Sequence, residues 1–278
     1  MALDSLRIGI HLPQYGRVAG PDAIVRAAQY AERLGFADVW VSDHTVRPAA
    51  QRYPSAHLYD PLVTLAWAGA VTERVGLGTS VLVVPSHEPV SLANRLASID
   101  ALSGGRLTIG VGVGWSEAEY RAVGQEFSNR GRRLDEAIDL FRAVWTDDPT
   151  DFDGEFSQLE DMRVLPKPAH RIPIWVGGGS EAAYRRGVTR GDGFQVIGVT
   201  PEEAAPVVAR LREERPEPGF TMSLRTGWDP QGMDAGVIRE ERAAYAEAGI
   251  QHVVCAPWRS DLEDWLRSMD LLAEIVLH

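Results

Sequence analysis

Short apolar runs rich in Val and Ile alternate along the chain with longer segments in which apolar residues recur every three or four positions. The short runs fit strands buried on both faces and the longer segments fit amphipathic helices, so the alternation predicts parallel strands joined by crossover helices. Eight runs read as strands, over 7–11, 38–42, 75–84, 107–111, 172–177, 193–197, 221–226 and 252–256. Eight helical segments follow them in turn, over 22–34, 61–72, 89–102, 132–145, 181–190, 201–214, 235–248 and 262–275. The fourth shows its period most plainly, because Leu134, Ile138, Phe141 and Trp145 form one apolar stripe against a charged face. No linker rich in Gly, Pro or Ser divides these units. They predict an α/β protein, a single (β/α)8 barrel over residues 1–278, with an open doubly wound sheet as the competing arrangement.

A barrel builds its active site from the segments that follow the strands, while helix-to-strand loops lie at the opposite face. The long connection 146–171, with DFDGEF and LPKPAHRIP, is therefore predicted on the far side, plugging the barrel or serving an interface. The third strand, GLGTSVLVVPSHEP, is long and has small polar residues in its middle, which predicts a bulge near Thr79 to Val81.

The chain has 278 residues, 45% hydrophobic and 24% charged, proportions that give a globular protein a large core. Its net charge of −11 would repel nucleic acid and anionic lipid. No apolar run approaches the ~18 residues that cross a bilayer, and the start lacks a charged segment followed by an apolar one, so a cytoplasmic protein with no membrane partner is expected. Cys255 is the only cysteine, which excludes an internal disulfide and cysteine-held metal. Lys167, the only lysine, lies between two prolines and is badly placed for Schiff-base chemistry at a strand end. No His-Glu-x-x-His spacing occurs, so no metal site is expected.

Three strand ends carry candidate chemistry. The second strand runs into Asp43 and His44, either a catalytic carboxylate and imidazole or a cap with a packed histidine beside it. The fourth ends in GVGVGW, residues 110–115, where Gly112 either admits a flat ligand or packs a tight strand. Glu117 stands where a dinucleotide fingerprint would need its last glycine. The fifth ends in Val176, Gly177, Gly178, Gly179 and Ser180, just before a helix bearing Arg185 and Arg186, and bare amides there favour a phosphate over a plain cap.

The segments SDH, GTSV, SGGRLTIGVGVGW, FDGEF, VLPKP and IPIWVGGG occur in an order and spacing that resembles the bacterial luciferase-like superfamily, most closely its branch dependent on the deazaflavin coenzyme F420. The resemblance covers residues 7–200 well and the remainder loosely, and its specificity lies in the combination. It implies a (β/α)8 barrel with a flavin or deazaflavin ring at the strand C-termini, backed by a cis peptide between Ser80 and Val81. It also implies Asp43 and His44 near the ring, His44 supplying the proton that accompanies hydride transfer, and the glycines 177–179 receiving the cofactor's phosphate. A homodimer is usual in the superfamily. The sugar-phosphate dehydrogenases of the branch carry a Trp shortly after SDH and a Glu after the strand-four glycines. This chain has Pro48 and Trp115 instead, which argues against glucose-6-phosphate. His11, Trp115 and Trp258 would make an aromatic-walled pocket for an apolar or carbonyl-bearing small molecule.

The expected function is hydride transfer between F420 and a small organic substrate, as a reductase. An FMN-dependent monooxygenase of the same fold is the alternative, against which SDH counts because such enzymes more often show a Glu-His-His type segment. A non-catalytic flavin-binding protein would have no use for His44. A glycosidase would need paired carboxylates, and nothing pairs Asp43 with Asp229.

Overall fold

The computed structural model describes residues 6–51, 55 and 57–277. In chain order the first half holds β1 (Arg7–His11), α1 (Pro21–Leu34), β2 (Asp38–Val41), α2 (Pro61–Ala70), β3 (Gly76–Val83), α3 (Pro89–Ser103), β4 (Leu107–Gly112), α4 (Glu117–Ala122) and α5 (Arg130–Thr146). Then come β5 (Thr150–Asp153), β6 (Gln158–Met162), β7 (Ile174–Gly177), α6 (Glu181–Arg190), β8 (Gly193–Ile197), α7 (Pro201–Glu214), β9 (Thr221–Thr226), α8 (Ala235–Glu247), β10 (His252–Cys255) and α9 (Leu262–Val276). Several helices start where local chemistry dictates. Asp60 and Glu88 accept the first amides of α2 and α3, each with Pro at the opening position, and Thr200 with Glu203 closes a capping box on α7.

Eight parallel strands close into a barrel in the order β1-β10-β9-β8-β7-β4-β3-β2, so the closed arrangement holds and the open sheet does not. The stripe of α5 is buried throughout, Leu134, Ile138 and Phe141 almost completely. The bulge expected on the third strand is present: register between β3 and β4 slips by one residue between Thr79 and Leu82, and the Ser80–Val81 peptide is cis. Among the described residues no helix is long and apolar enough to cross a membrane.

Two features differ from the sequence reading. The short helix α4 lies between β4 and α5, where no element was predicted. The connection 146–171 is anchored at the far face by Lys167, which donates to the carbonyls of Val144 and Asp147, and by Ala169, whose N–H meets Asp100. It does not stay there. Its antiparallel hairpin β5–β6 climbs back along α5, so that the Phe156 N–H reaches the Glu136 carboxylate at 2.9 Å and the Phe156 ring lies beside Arg132 and Arg133. Both hairpin strands are mostly exposed and polar, and so give no apolar signal in the sequence.

Candidate active site

At the C-terminal end of the barrel a cavity of about 490 Å3 opens between the loops that follow the strands. The SDH segment is set on its rim by Gln14, which is fully buried. Gln14 Nε2 donates to the Ser42 carbonyl at 2.8 Å and the Tyr59 carbonyl at 2.7 Å, and its Oε1 accepts the Ser42 N–H at 2.7 Å. One amide side chain thus fastens the β1–α1 connection to both ends of the β2–α2 connection and fixes where Asp43 and His44 point.

His44, Asp43, Ser80, Val81, Trp115 and Trp258 all line this cavity. His44 stands edge-on to Trp115, with ring centroids 5.9 Å apart, and its Nδ1 lies 3.0 Å and 3.1 Å from the two oxygens of Glu119. A carboxylate can only accept, so Nδ1 carries the hydrogen and Nε2 is left to meet a molecule in the cavity. Asp43 is almost entirely buried, and its Oδ2 accepts from the Val83 N–H at 2.9 Å and from His87 Nε2 at 2.8 Å. Its carboxylate therefore ties the end of β2 to the end of β3.

Ser80 faces inward, where a chain of buried hydrogen bonds descends through the barrel. Its hydroxyl donates to Gln195 Oε1 at 2.6 Å, Gln195 Nε2 donates to Ser223 Oγ at 3.1 Å, and that oxygen lies 2.9 Å from His252 Nδ1. His252 Nε2 in turn lies 2.9 Å from Asp38 Oδ1. The chain ends on the carboxylate of Asp38. Burial alone would raise the Asp38 carboxyl, but the His252 charge and hydrogen bond, with that of Trp40, hold it below the usual carboxylate range. Above Ser80, Arg225 donates from Nη1 to the Ser80 carbonyl and, at 3.0 Å, to Ser42 Oγ.

The remaining candidates stand outside the cavity lining. His11 is fully buried, donating from Nδ1 to the Leu12 carbonyl at 2.7 Å, with Nε2 2.9 Å from Ser42 Oγ. It sits behind the wall made by Tyr15 and Trp258, at ring-centroid distances of 5.8 Å and 5.4 Å, and does not reach the space a substrate would occupy. Val176 is wholly buried in the core. Gly112 is also buried, and a Cβ there would stand 2.7 Å from Val81 Cγ2, so its bareness serves the bulge on β3 before any ligand. Gly177 has the same duty, with Val81 Cγ1 at 2.6 Å. Gly178, Gly179 and Ser180 are exposed at the start of α6; Gly178 has φ 145° and Gly179 has open space where a Cβ would be. Ser180 Oγ accepts the Ala183 N–H at 3.2 Å as the helix cap. Arg186 turns away and pairs with Asp135, leaving the glycines without it.

Residues that the sequence does not single out as candidates complete the site. Tyr15, Ser42, Leu58, Ile197, Gly198 and Arg225 line the cavity, and Glu119 backs His44. Arg225, placed in the last two residues of β9, had a weak signal as a cation at a strand C-terminus. Trp258 adopts φ 52°, in the left-handed region that bulky residues rarely enter, and lies over the Arg225 guanidinium at 5.2 Å.

Comparison with known proteins agrees with this geometry. Residues 4–231 match the family described as luciferase-like monooxygenase. An uncharacterized protein of Mycobacterium tuberculosis is 34% identical over 270 residues, covering 90% of this chain and 93% of its own. An F420-dependent glucose-6-phosphate dehydrogenase of Intrasporangium calvum is 36% identical over 181 residues, 63% of this chain and 53% of that protein. Two solved structures share the fold. One is an F420-dependent secondary alcohol dehydrogenase in complex with an F420-acetone adduct, at TM-score 0.81 and 20% identity over 98% of both chains. The other is a monooxygenase of Streptomyces bottropensis, at TM-score 0.80 and 21% identity over 98% of this chain and 99% of that one. With the barrel, the bulge at Ser80–Val81 and the His44 rim in place, the match over most of its length makes this chain a member of the luciferase-like monooxygenase family, whose enzymes include oxidoreductases and monooxygenases.

Proposed function

We propose that the chain is an oxidoreductase that moves hydride between coenzyme F420 and a small organic substrate, acting as a reductase on an apolar, carbonyl-bearing molecule. The observation that carries this reading is the placement of His44. Its imidazole is held on the rim of an aromatic-walled cavity, across from the bulge at Ser80–Val81, with one ring nitrogen engaged and the other available. The F420-dependent dehydrogenase of Intrasporangium calvum supports the choice of cofactor.

The residues fit such a group. A cavity of about 490 Å3 lies within the ~300–1,000 Å3 of small-molecule sites. Gly178 and Gly179 leave the first amides of α6 uncovered, a cradle that a Cβ would fill and that suits a phosphate. When bound, the deazaflavin would supply the carrier of hydride. Val81 would back its ring, Trp115 and Trp258 would flank the substrate and exclude water, and His44 Nε2, bare at rest, would take up a proton from solvent and pass it to the substrate oxygen. Membership of a family described as luciferase-like monooxygenase keeps FMN chemistry as the second reading. A second copy of the chain is the proposed partner.

Two substitutions separate the roles. His44→Ala is expected to lower turnover about 100-fold or more with little change in cofactor affinity. Gly178→Asp would set a carboxylate and a side chain at a φ 145° position whose Cβ stands 2.9 Å from that of Ala183, so it should weaken cofactor binding about thirtyfold, or ~2 kcal/mol. Turnover at saturating cofactor should then recover. Full turnover in the His44→Ala enzyme would make the histidine structural.

A further inference from the structure

Ser116 and Glu119 have the spacing of a capping box, in which the acid at the third helical position folds back onto the N–H of the cap residue. At α7 the same pattern, Thr200 and Glu203, closes both halves, with Glu203 Oε2 accepting the Thr200 N–H at 2.9 Å. At α4 the first half forms, as Ser116 Oγ accepts the Glu119 N–H at 3.3 Å. The Glu119 carboxylate, however, leaves its helix and spans to the end of β2, where both oxygens face His44 Nδ1 at 3.0 Å and 3.1 Å. The side chains of His44 and Glu119 are only 16% and 13% exposed, and the Trp115 ring packs edge-on against the imidazole, so the pair is shielded from water as a surface ion pair is not.

We propose that Glu119 is a positioning residue for His44: by forgoing its own helix cap it fixes the imidazole in the Nδ1–H tautomer and presents the Nε2 lone pair to the cavity. An imidazole with no acceptor at Nδ1 would divide itself between two tautomers and rotate about its side-chain bonds, and only one of those arrangements offers Nε2 as the acid or base. The carboxylate arrives from the first turn of α4 and acts behind the histidine. The effect on rate rests on the function proposed above; the effect on the tautomer does not.

The test uses the full-length chain labelled with 15N in its histidines, observed by long-range 1H–15N NMR without cofactor, beside steady-state kinetics with F420. The His44 signal is expected to show Nδ1 protonated and Nε2 bare in the wild type and in Glu119→Gln, whose amide oxygen still accepts, and a mixture of tautomers in Glu119→Ala. The alanine variant should lose about 10–100-fold in kcat with cofactor affinity unchanged, and the glutamine variant should recover most of it. In a His44→Asn background Glu119→Ala should cost nothing further. An alanine variant that keeps the single tautomer, a glutamine variant as slow as alanine, or an equal loss in the His44→Asn background would each overturn the proposal. If Glu119→Ala does not fold, the wild-type tautomer and the glutamine variant still decide. A chain that holds the tautomer but fails to bind F420 would overturn the functional reading alone.

Discussion

His11 is a histidine that cannot easily take a proton. Burial, and then the positive charge of Arg225, hold its imidazole well below its ordinary range, against the opposing pull of the Leu12 carbonyl. In the unfolded chain the same residue takes up a proton near pH ~6.5. A group with a depressed native pKa stabilises fully above the unfolded value, and that stability is lost as pH falls from there toward the native one. The protein should therefore lose stability between pH 7 and 5 faster than a His11→Gln variant, by up to ~1.4 kcal/mol per pH unit. Urea unfolding at several pH values checks this. Parallel pH profiles would mean that His11 is not held neutral.

At the scale of elements, the bulge on β3 is shaped by glycines on its neighbours. A Cβ at Gly110 would lie 2.3 Å from the Thr79 carbonyl oxygen, and at Gly112 and Gly177 it would strike Val81. Gly177→Ala should cost ~1–3 kcal/mol in thermal or urea melts, as overpacking does, and should push Val81 toward the cavity and weaken cofactor binding. Gly179→Ala, with open space around it, should leave stability nearly unchanged. If both variants melt alike, the bulge does not depend on that close approach. Helix α2 poses a different question, because it is apolar on its outer face as well. Val63, Ala66, Trp67 and Ala70 are exposed there, and Leu102 at the end of α3 is 87% exposed. Such a stripe is costly to leave in water. If it meets a second copy, the wild type should sediment as a dimer and Trp67→Glu as a monomer of equal secondary structure. A monomeric wild type would contradict that.

Over the whole molecule, the parts legible in the sequence are those set by local pattern. The eight apolar runs became the eight barrel strands because burial on both faces leaves a continuous apolar signature, as in Val39 to Val41 and Val253 to Cys255. Asp43, His44, Trp115 and Trp258 were readable as strand-end residues once the barrel was inferred. Tertiary partnerships were not readable. Glu119 looks like a helix cap, Arg225 like an ordinary strand-end arginine, and Ser80, Gln195, Ser223, His252 and Asp38 lie on five strands that only the closed barrel aligns. The burial of His11 was not readable either, since a strand-end side chain can face the core as readily as the cavity.

The central claim, that this barrel carries F420 as a hydride-transfer cofactor, is tested most directly by titrating the purified protein separately with F420 and with FMN. Intrinsic fluorescence is a natural readout, because Trp115 and Trp258, two of the eight tryptophans, line the cavity. F420 is expected to bind at least about tenfold more tightly than FMN, a difference of ~1.4 kcal/mol. Equal affinities, or tighter binding of FMN, would contradict the account and move the chain to the monooxygenase reading.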